Sequence, residues 1–432
     1  MDPVVAQPRS LPRDPPPGSP PGDVRPAPSP GGIVRPAIVY ATLFGAVGAF
    51  VPYIAIYLSS TGLDLGTVGA LIALHAAVSL VAAPSWGALA DGIGDVRGPV
   101  LAAGLLAALA AGLLAIAVAP PALALGMILL AAASAGIIPL VDSRAVRMAG
   151  QRDRFGRARA WGSAAFVLVA VGTGVLIGRT GPAGMFLLYA PLLAVTGVTA
   201  WALLRLPEER LGRGGRRRGP ALRRVAGMAL TGLSPATILG VLRQPRLGVF
   251  FLAATVIWTS HAALQGFVSL RVVALGGDAT IVAATWSLGA LVEVPLMLAF
   301  PGLARRLGPE RLIVVGAFAF GLRALLTALV PSAELIVAAA LFGGVGFAFV
   351  YLGTVSWVAG SVRREVQATA QGIFSGTSVS IGAIGGSILG GAIGGRLGLP
   401  ALFLIAAVGY ATGAVLVWIA IGRSAAASRQ GA

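Results

Sequence analysis

The sequence predicts an all-α integral membrane protein with twelve transmembrane helices. Hydrophobic residues make up 57% of the 432 residues and charged residues only 11%, and the mean hydropathy is +0.89. A water-soluble domain could not cover that much apolar surface. Twelve stretches of about 20 apolar residues follow one another. They lack the alternating pattern that is typical of membrane β-strands, so the fold class is a helical bundle.

The twelve spans fall into two groups of six. A long segment at 205–246 is rich in arginine and separates the groups. We therefore predict an N-terminal six-helix half at 37–204, a cytoplasmic basic linker at 205–246 and a C-terminal six-helix half at 247–421. The predicted spans lie at 37–59, 66–90, 98–119, 121–143, 160–179, 182–204, 247–271, 279–301, 311–331, 333–358, 369–395 and 398–421.

Polar tails precede and follow the helices. Residues 1–36 include 12 prolines, so this segment lacks the backbone donors and apolar groups that a folded unit needs. It also has no continuous apolar core of the kind that a cleaved signal peptide carries. We predict a disordered cytoplasmic tail at 1–36 and a short cytoplasmic tail at 422–432.

Arginine distribution predicts the orientation in the membrane. With the N-terminus inside, 28 of the 32 basic residues lie in inner segments, three lie in outer loops (Arg179, Arg271 and Arg396), and Arg323 lies within a span. Positive loops face the cytoplasm, so both termini are predicted to be cytoplasmic in a bacterial-type plasma (inner) membrane. The net charge of +17 is explained by this topology and by anionic lipid, so nucleic acid is not an expected partner. Arg144 is interpreted as one of these inner positive charges and nothing more.

Several kinds of chemistry are excluded by composition. The chain has no cysteine and no lysine, which rules out disulfides, thiolate metal ligands and a P-loop of the GxxxxGK type. The two histidines, His75 and His261, lie in separate apolar segments, and His75 is interpreted as a packing residue. The sequence contains no paired catalytic carboxylates and no Ser-His-Asp set. We expect no enzyme, no cofactor and no metal site.

The connection between the second and third spans carries a loop motif. WGALADGIGDVRGPVL (86–101) resembles the inner-loop signature of the major facilitator superfamily, G-x-L-A-D-R-x-G-R-K, and PGLARRLGPERLI (301–313) is a weak echo of it. Gly92 and Asp95 stand where the family has basic residues, so a charge latch at this loop should be weaker or rearranged. The signature positions are Gly87, Leu89, Ala90, Asp91 and Gly94, with Arg97 displaced.

A second resemblance narrows the family. IPLVDSRA (138–145) and FGRARAWGSAAF (155–166) resemble the phenylpropionate-permease-like branch of that superfamily, whose members are proton symporters. WSLGALVEVPLMLAF (286–300) resembles its eighth helix. The resemblance implies the major facilitator fold, with a histidine expected near Phe342 that this chain lacks. Asp142 and Arg159, in the region that this pattern marks, are predicted with Trp161 to form a gate or to bind substrate. An interfacial salt bridge between Asp142 and Arg159 that only orders the loop is the alternative.

Glu293 is a carboxylate in the middle of an apolar span. A charged group at that depth costs about 2.5 to 3.5 kcal/mol on insertion scales, so it is expected to face the bundle interior and to carry function. Burial disfavours its charged form, which would let it take up a proton on one side and release it on the other. Arg323, at similar depth, is predicted to be its partner, and a purely structural buried ion pair is the alternative. His261 is predicted to relay protons or to contact substrate, although simple packing is an equal alternative.

These features predict a proton-coupled secondary transporter that works by alternating access. Its partners would be protons and membrane lipids, and we expect a monomer. The family resemblance implies a small organic solute of the aromatic acid, sugar or nucleoside class. The glycines of 382–398 should let helices approach closely and slide. Two alternatives remain open: a proton-antiport exporter of amphipathic compounds, and a non-transporting membrane sensor or scaffold.

Overall fold

A computed structural model describes residues 33–149, 152–205, 245–362 and 367–430, and it confirms the predicted all-α membrane fold. Twelve helical stretches are long and apolar enough to cross a membrane, six before residue 205 and six after residue 245. Residues 1–32 of the predicted tail and 206–244 of the predicted linker lie outside the described residues. The last helix continues to Gln430, beyond the predicted end of the twelfth span.

The first six spans contain eight α-helices. These are α1 (Val34–Phe50), α2 (Ile54–Ser60), α3 (Leu65–Ile93), α4 (Arg97–Ala115), α5 (Pro120–Ser134), α6 (Ile137–Ala149), α7 (Arg152–Thr180) and α8 (Phe186–Leu203). The last six spans contain α9 (Pro245–Ala274), α10 (Ala279–Leu307), α11 (Pro309–Leu329), α12 (Ala333–Ser361), α13 (Gln367–Ile373), α14 (Ile381–Leu397) and α15 (Leu399–Gln430).

Two spans are interrupted at proline. The first span breaks between α1 and α2 at Pro52, which has no amide hydrogen for the helical ladder. The fourth span breaks between α5 and α6, where the ring of Pro139 would conflict with the carbonyl four residues before it. The indole of Trp86 donates a 2.7 Å hydrogen bond to the carbonyl of Ala132 beside this second break. Both spans were predicted to be continuous helices.

The eleventh span contains a wider turn. A π-helix at Phe374–Ser380 joins α13 to α14. The side chain of Gln371 donates a 2.8 Å hydrogen bond to the carbonyl of Val355 on α12, which ties α13 to its neighbour. The hydroxyl of Ser378 donates to the carbonyl of Phe251 on α9 at 3.3 Å. π-helical turns are rare in proteins, and those that occur often lie at functional sites.

The two groups of six spans meet chiefly through two pairs of helices, with smaller contacts of α2 on α9 and of the π-helix on α3. Helix α3 packs on α14, and α7 packs on α10. The contacts are closest at one end of the bundle, because a Cβ atom on Gly391 would lie 2.5 Å from the carbonyl oxygen of Leu65, and one on Gly174 would lie 2.6 Å from that of Ala279. We call this the closed end. The predicted close approach of the glycines in 382–398 is confirmed.

At the opposite end the two groups separate. Helix α6 packs on α1, α3, α4 and α7, all of which belong to the first six spans. Helix α13 packs on α12 and on the π-helix, which belong to the last six. We call this the open end, and the side chains of Asp95, Asp142 and Arg159 lie on elements that begin or finish there.

Aspartates cap the second and eighth spans at the closed end. The carboxylate of Asp64 accepts from the amide of Thr67 at 3.0 Å at the start of α3. The carboxylate of Asp278 accepts from the amides of Thr280 and Ile281, both at 2.9 Å, at the start of α10. Hydrogen bonds from the hydroxyls of Thr67 and Thr280, together with these amides, lower the pKa of both carboxyl groups. N-terminal caps of this kind fix where a helix begins.

Candidate functional site

A cavity of about 210 Å³ lies between the two groups of spans. Helices α1 and α7 supply one wall, and α9, α10, α11 and α12 supply the other. The wall residues are largely apolar and aromatic, with a few polar and ionisable groups among them, which is the composition of small-molecule sites. The residues that line it are Phe44, Val47, Ser163, Phe166, His261, Gln265, Thr285, Trp286, Gly289, Ala290, Glu293, Arg323, Gly343, Gly344 and Phe347.

Glu293 and Arg323 both line this cavity, but the predicted direct pair is wrong for this conformation. Within the described part of the chain, no ion pair within 4.0 Å joins them. Arg323 instead lies against α12, where Gly343 leaves space: a Cβ atom there would be 2.6 Å from the Arg323 Nη1 atom.

His261 contributes a partly buried imidazole to the same wall as Arg323. Its ring centroid is 4.7 Å from that of Phe320 and 5.3 Å from that of Trp258. The hydroxyl of Tyr410 lies 3.5 Å from its Nδ1 atom. The structure thus brings the three predicted proton-coupling residues to one cavity.

Asp142 and Arg159 form an ion pair between α6 and α7. The Arg159 Nη1 atom is 3.0 Å and 3.1 Å from the two carboxylate oxygens. The hydroxyl of Tyr40 donates a 2.6 Å hydrogen bond to the same carboxylate. The Arg159 guanidinium lies 5.0 Å from the ring centroid of Phe44, within cation–π range. Since Phe44 lines the cavity, this group of side chains borders it on the open-end side.

Trp161 lies elsewhere, and the prediction that it forms part of the gate or substrate site is not met by its position. Its side chain is 62% exposed. Leu168 and Val175, seven and fourteen residues further along α7, are also exposed, so the three share one outward face. Position 161 is two residues from cavity-lining Ser163, which places it on a different side of the helix. An outward indole suits the membrane–water interface.

The inner-loop motif contains a rearranged charge cluster. Asp95 accepts from Arg97 Nε at 3.0 Å and from Arg144 Nη2 at 2.8 Å. Arg144 is only 1% exposed, so the interpretation of it as a simple positive-inside charge is wrong. Burial acts to raise the pKa of Asp95, but hydrogen bonds from Arg97 and the charges of both arginines hold it below its usual value.

The other motif positions have varied environments. Gly94 has a φ of +75° and ends α3 in the left-handed region, which explains the glycine there. Asp91 is exposed, and a Cβ atom on Gly87 would meet nothing within 4 Å.

His75 lies outside the cavity wall, and its ring centroid is 6.2 Å from that of Phe50.

Sequence reasoning missed four residues of the site. Gln265 and Trp286 line the cavity, Tyr40 binds Asp142, and Gly343 makes room for Arg323. Helical spacing could have indicated the first two. Gln265 lies four residues after His261 and Trp286 lies seven before Glu293, so each shares a helix face with a predicted residue. Tyr40 and Gly343 join the site through contacts between helices that are distant in the sequence, so no local sequence pattern indicates these two residues.

Comparisons with known proteins agree with this fold. The sequence profile of the MFS_1 like family matches residues 33–405. A maltose permease from Geobacillus stearothermophilus is 27% identical over 369 residues, which cover 85% of this chain and 89% of that one. The crystal structure of the nucleoside transporter NupG superposes with a TM-score of 0.75 at 17% identity, covering 91% of this chain and 99% of that one. A bacterial homologue of the human lysosomal transporter Spinster, in an inward-facing and unoccupied conformation, gives 0.69 at 12% identity, covering 90% and 96%.

The chain belongs to the MFS_1 like family, so the predicted major facilitator resemblance is confirmed. It is a multi-pass membrane protein and a secondary transporter of the major facilitator type.

Proposed function

We propose that the protein is a proton-coupled transporter that moves a small organic solute across the plasma membrane by alternating access. The observation that carries the proposal is the position of Glu293, a carboxyl group on the wall of a cavity between the two groups of six spans. A group there could exchange its proton with one side of the membrane at a time, because access to the cavity changes as the halves move.

The geometry supports an arrangement of roles. Glu293 carries the proton, and Arg159, on helix α7 across the cavity, is assigned as the positive charge that stabilises its carboxylate. Asp142 holds Arg159 through the ion pair between α6 and α7. Opening and closing of the cavity would change the distance between α7 and α10, and with it the electrostatic stabilisation of the Glu293 carboxylate. His261 and Arg323 complete the polar wall on the C-terminal side.

The proposed orientation in the membrane follows from the distribution of arginine in the sequence. With arginine-rich loops inside, both termini are cytoplasmic, the closed end faces outward and the open end faces the cytoplasm. Two six-helix halves at 37–204 and 247–421 would rock about the cavity, joined by the cytoplasmic linker at 205–246. The proposed working unit is a monomer, the solute class is an aromatic acid, a sugar or a nucleoside, and no cofactor takes part.

Proton movement in proteoliposomes tests this function. The protein is reconstituted with a pH-sensitive dye inside the vesicles, and aromatic acids, sugars and nucleosides are added in turn. We expect one class to drive proton entry with wild type, and Glu293→Gln to abolish that proton entry while retaining solute exchange. Normal coupling in Glu293→Gln would contradict the assigned carrier. Solute movement without any proton movement would contradict coupling itself, and outward pumping would favour an exporter.

A further inference from the structure

Tyr53 lies at the closed end of the bundle, where the first span meets the other group of spans. It follows Pro52 in the break between α1 and α2, and its side chain is completely buried. Its hydroxyl donates a 2.7 Å hydrogen bond to the carbonyl of Ala170 on α7. The same hydroxyl lies 3.2 Å from the carbonyl oxygen of Ala279 on α10. This second contact joins the two groups of six spans.

A glycine on α7 makes the contact possible. A Cβ atom on Gly174, one helical turn after Ala170, would lie 2.6 Å from the Ala279 oxygen and 2.9 Å from the Tyr53 hydroxyl oxygen. Both distances are too short for a real side chain, and glycine is the residue that permits such close approach. Any larger residue at this position would move α10 away from α7 or displace the phenol ring.

The α10 side of the contact is also fixed in position. Ala279 is the first residue of α10, and the carboxylate of Asp278 before it accepts hydrogen bonds from two amides in the first turn of that helix. A cap of this kind fixes where a helix begins. The Ala279 carbonyl is therefore presented to the Tyr53 hydroxyl by a capped helix end.

The two carbonyls share a single hydrogen, because a tyrosine hydroxyl has only one to donate. The bond to Ala170, within the same six spans as Tyr53, is the shorter of the two. If α10 moves away from α7, the hydrogen remains on Ala170 and no buried donor loses its partner. An unsatisfied buried donor would oppose such a movement strongly. The contact with Ala279 can therefore favour the closed arrangement without locking it.

We propose that Tyr53 is a gate residue of the closed end, and that its releasable hydrogen bond to Ala279 sets how often this end opens. It is a positioning residue, since it acts on the separation of α7 and α10 and does not line the cavity. A net hydrogen bond between neutral groups changes an equilibrium about two- to tenfold, and we expect a bias of that size towards the closed arrangement. The inference depends on movement of the two groups of spans and on neither proton coupling nor the identity of the solute.

Tyr57, one helical turn further along the chain, provides a matched control. Its hydroxyl also contacts two carbonyls, that of Leu114 at 2.6 Å and that of Ala117 at 3.2 Å. These residues all belong to the first six spans, so Tyr57 makes a similar pair of contacts without joining the two groups. Tyr57→Phe therefore removes as many hydrogen bonds as Tyr53→Phe does, but only within one group.

Cysteine labelling from each side of the membrane tests the proposal. The chain contains no cysteine, so Ser163→Cys places a single thiol on the cavity wall. A membrane-impermeant maleimide is applied to right-side-out and to inside-out vesicles in the absence of solute. We expect Tyr53→Phe to raise the labelling rate from the closed end about two- to tenfold without raising it from the open end. Tyr57→Phe should leave both rates unchanged.

Two kinds of result would overturn the proposal. An unchanged labelling rate from the closed end in Tyr53→Phe would show that the contact does not restrain opening. Equal increases in Tyr53→Phe and Tyr57→Phe, or faster labelling from both ends, would show a general loosening of the fold. Labelling without solute does not depend on proton coupling, so this inference and the proposed function fail separately.

Gly174→Ala provides a second test of the same contact. Its Cβ atom would separate Ala279 from α7, so closed-end labelling should rise, whereas Gly172→Ala, with nothing within 4 Å of its Cβ atom, should not change it. The Tyr53 contact is then already broken, and adding Tyr53→Phe should raise the rate no further. Additive effects would assign the restraint to something other than this hydrogen bond. If Tyr53→Phe does not fold, unchanged labelling in Gly174→Ala would still overturn the proposal.

Discussion

Asp95 and Arg144 form an ion pair at 2.8 Å in which the arginine is almost completely buried and the aspartate is partly exposed. The pair links the short loop between α3 and α4 to α6. Arg97 shares the same carboxylate, so one acid serves two arginines. The loop and α6 are therefore joined at the open end by a charge cluster within the first six spans.

Removing the acid of this cluster should destabilise the protein. Asp95→Asn leaves Arg144 buried beside a neutral amide, and we expect a loss of about 2 kcal/mol at pH 7, in the range for hydrogen bonds between charged groups. Thermal unfolding in detergent, followed by tryptophan fluorescence, measures it. Asp91→Asn is the control, because Asp91 is exposed.

The same pair gives a pH dependence. The pKa of Asp95 is held below its usual value of 3.8 in the folded state, so its stabilising contribution is present above that value and is lost as pH falls through the lowered pKa. The stability difference between wild type and Asp95→Asn should be constant from pH 7 to about pH 5 and shrink below about pH 4. A difference that does not change down to pH 3 would contradict the assignment.

Tyr40 should be needed for transport because its hydroxyl hydrogen-bonds the Asp142 carboxylate. Tyr40→Phe removes a 2.6 Å hydrogen bond to a carboxylate, and we expect transport to fall about tenfold, with expression and folding retained. Tyr57→Phe is a suitable control, because that hydroxyl binds the Leu114 carbonyl away from the cavity. Equal loss in both variants would mean that the effect is one of stability.

Gly391 should be needed for the closed end of the bundle to close. Gly391→Ala places a Cβ atom 2.5 Å from the Leu65 carbonyl oxygen, so α3 and α14 must separate there. The chain has no cysteine, so a single Ser163→Cys substitution reports access to the cavity by labelling. We expect Gly391→Ala to increase labelling from the closed end. Gly172→Ala, with nothing within 4 Å, should leave it unchanged.

Trp161 should be dispensable for transport. Its side chain is 62% exposed on a face of α7 that does not line the cavity. Trp161→Leu should retain transport within about twofold, since outward substitutions away from special features have small effects. The measurement is uptake normalised to the amount of protein in the membrane. A large loss would show that this position acts in a conformation other than the one described here.

The fold was predictable because apolar spans of membrane length are visible one by one in the sequence. The breaks at Pro52 and before Pro139 carried a local signal, since proline cannot join the helical ladder. Glu293, Arg323 and His261 were found because an ionisable group in an apolar span stands out. Their arrangement was not predictable, since it depends on the rotation of α10 and α11 about their axes. Arg144 was misjudged because nothing local distinguishes a buried arginine from its exposed neighbours.

The π-helix at Phe374–Ser380 has a consequence for how the eleventh span could move. Each residue of an α-helix turns the chain by about 100°, and a π turn holds one residue more than an α turn. The side-chain faces of α14 are therefore rotated about the helix axis relative to those of α13. Conversion of one π turn into an α turn would rotate the face of α14 that carries Gly391 away from Leu65, while Gln371 kept its bond to α12. A change of register within this span would loosen the contact of α14 with α3 at the closed end and leave the contact of α13 with α12 in place.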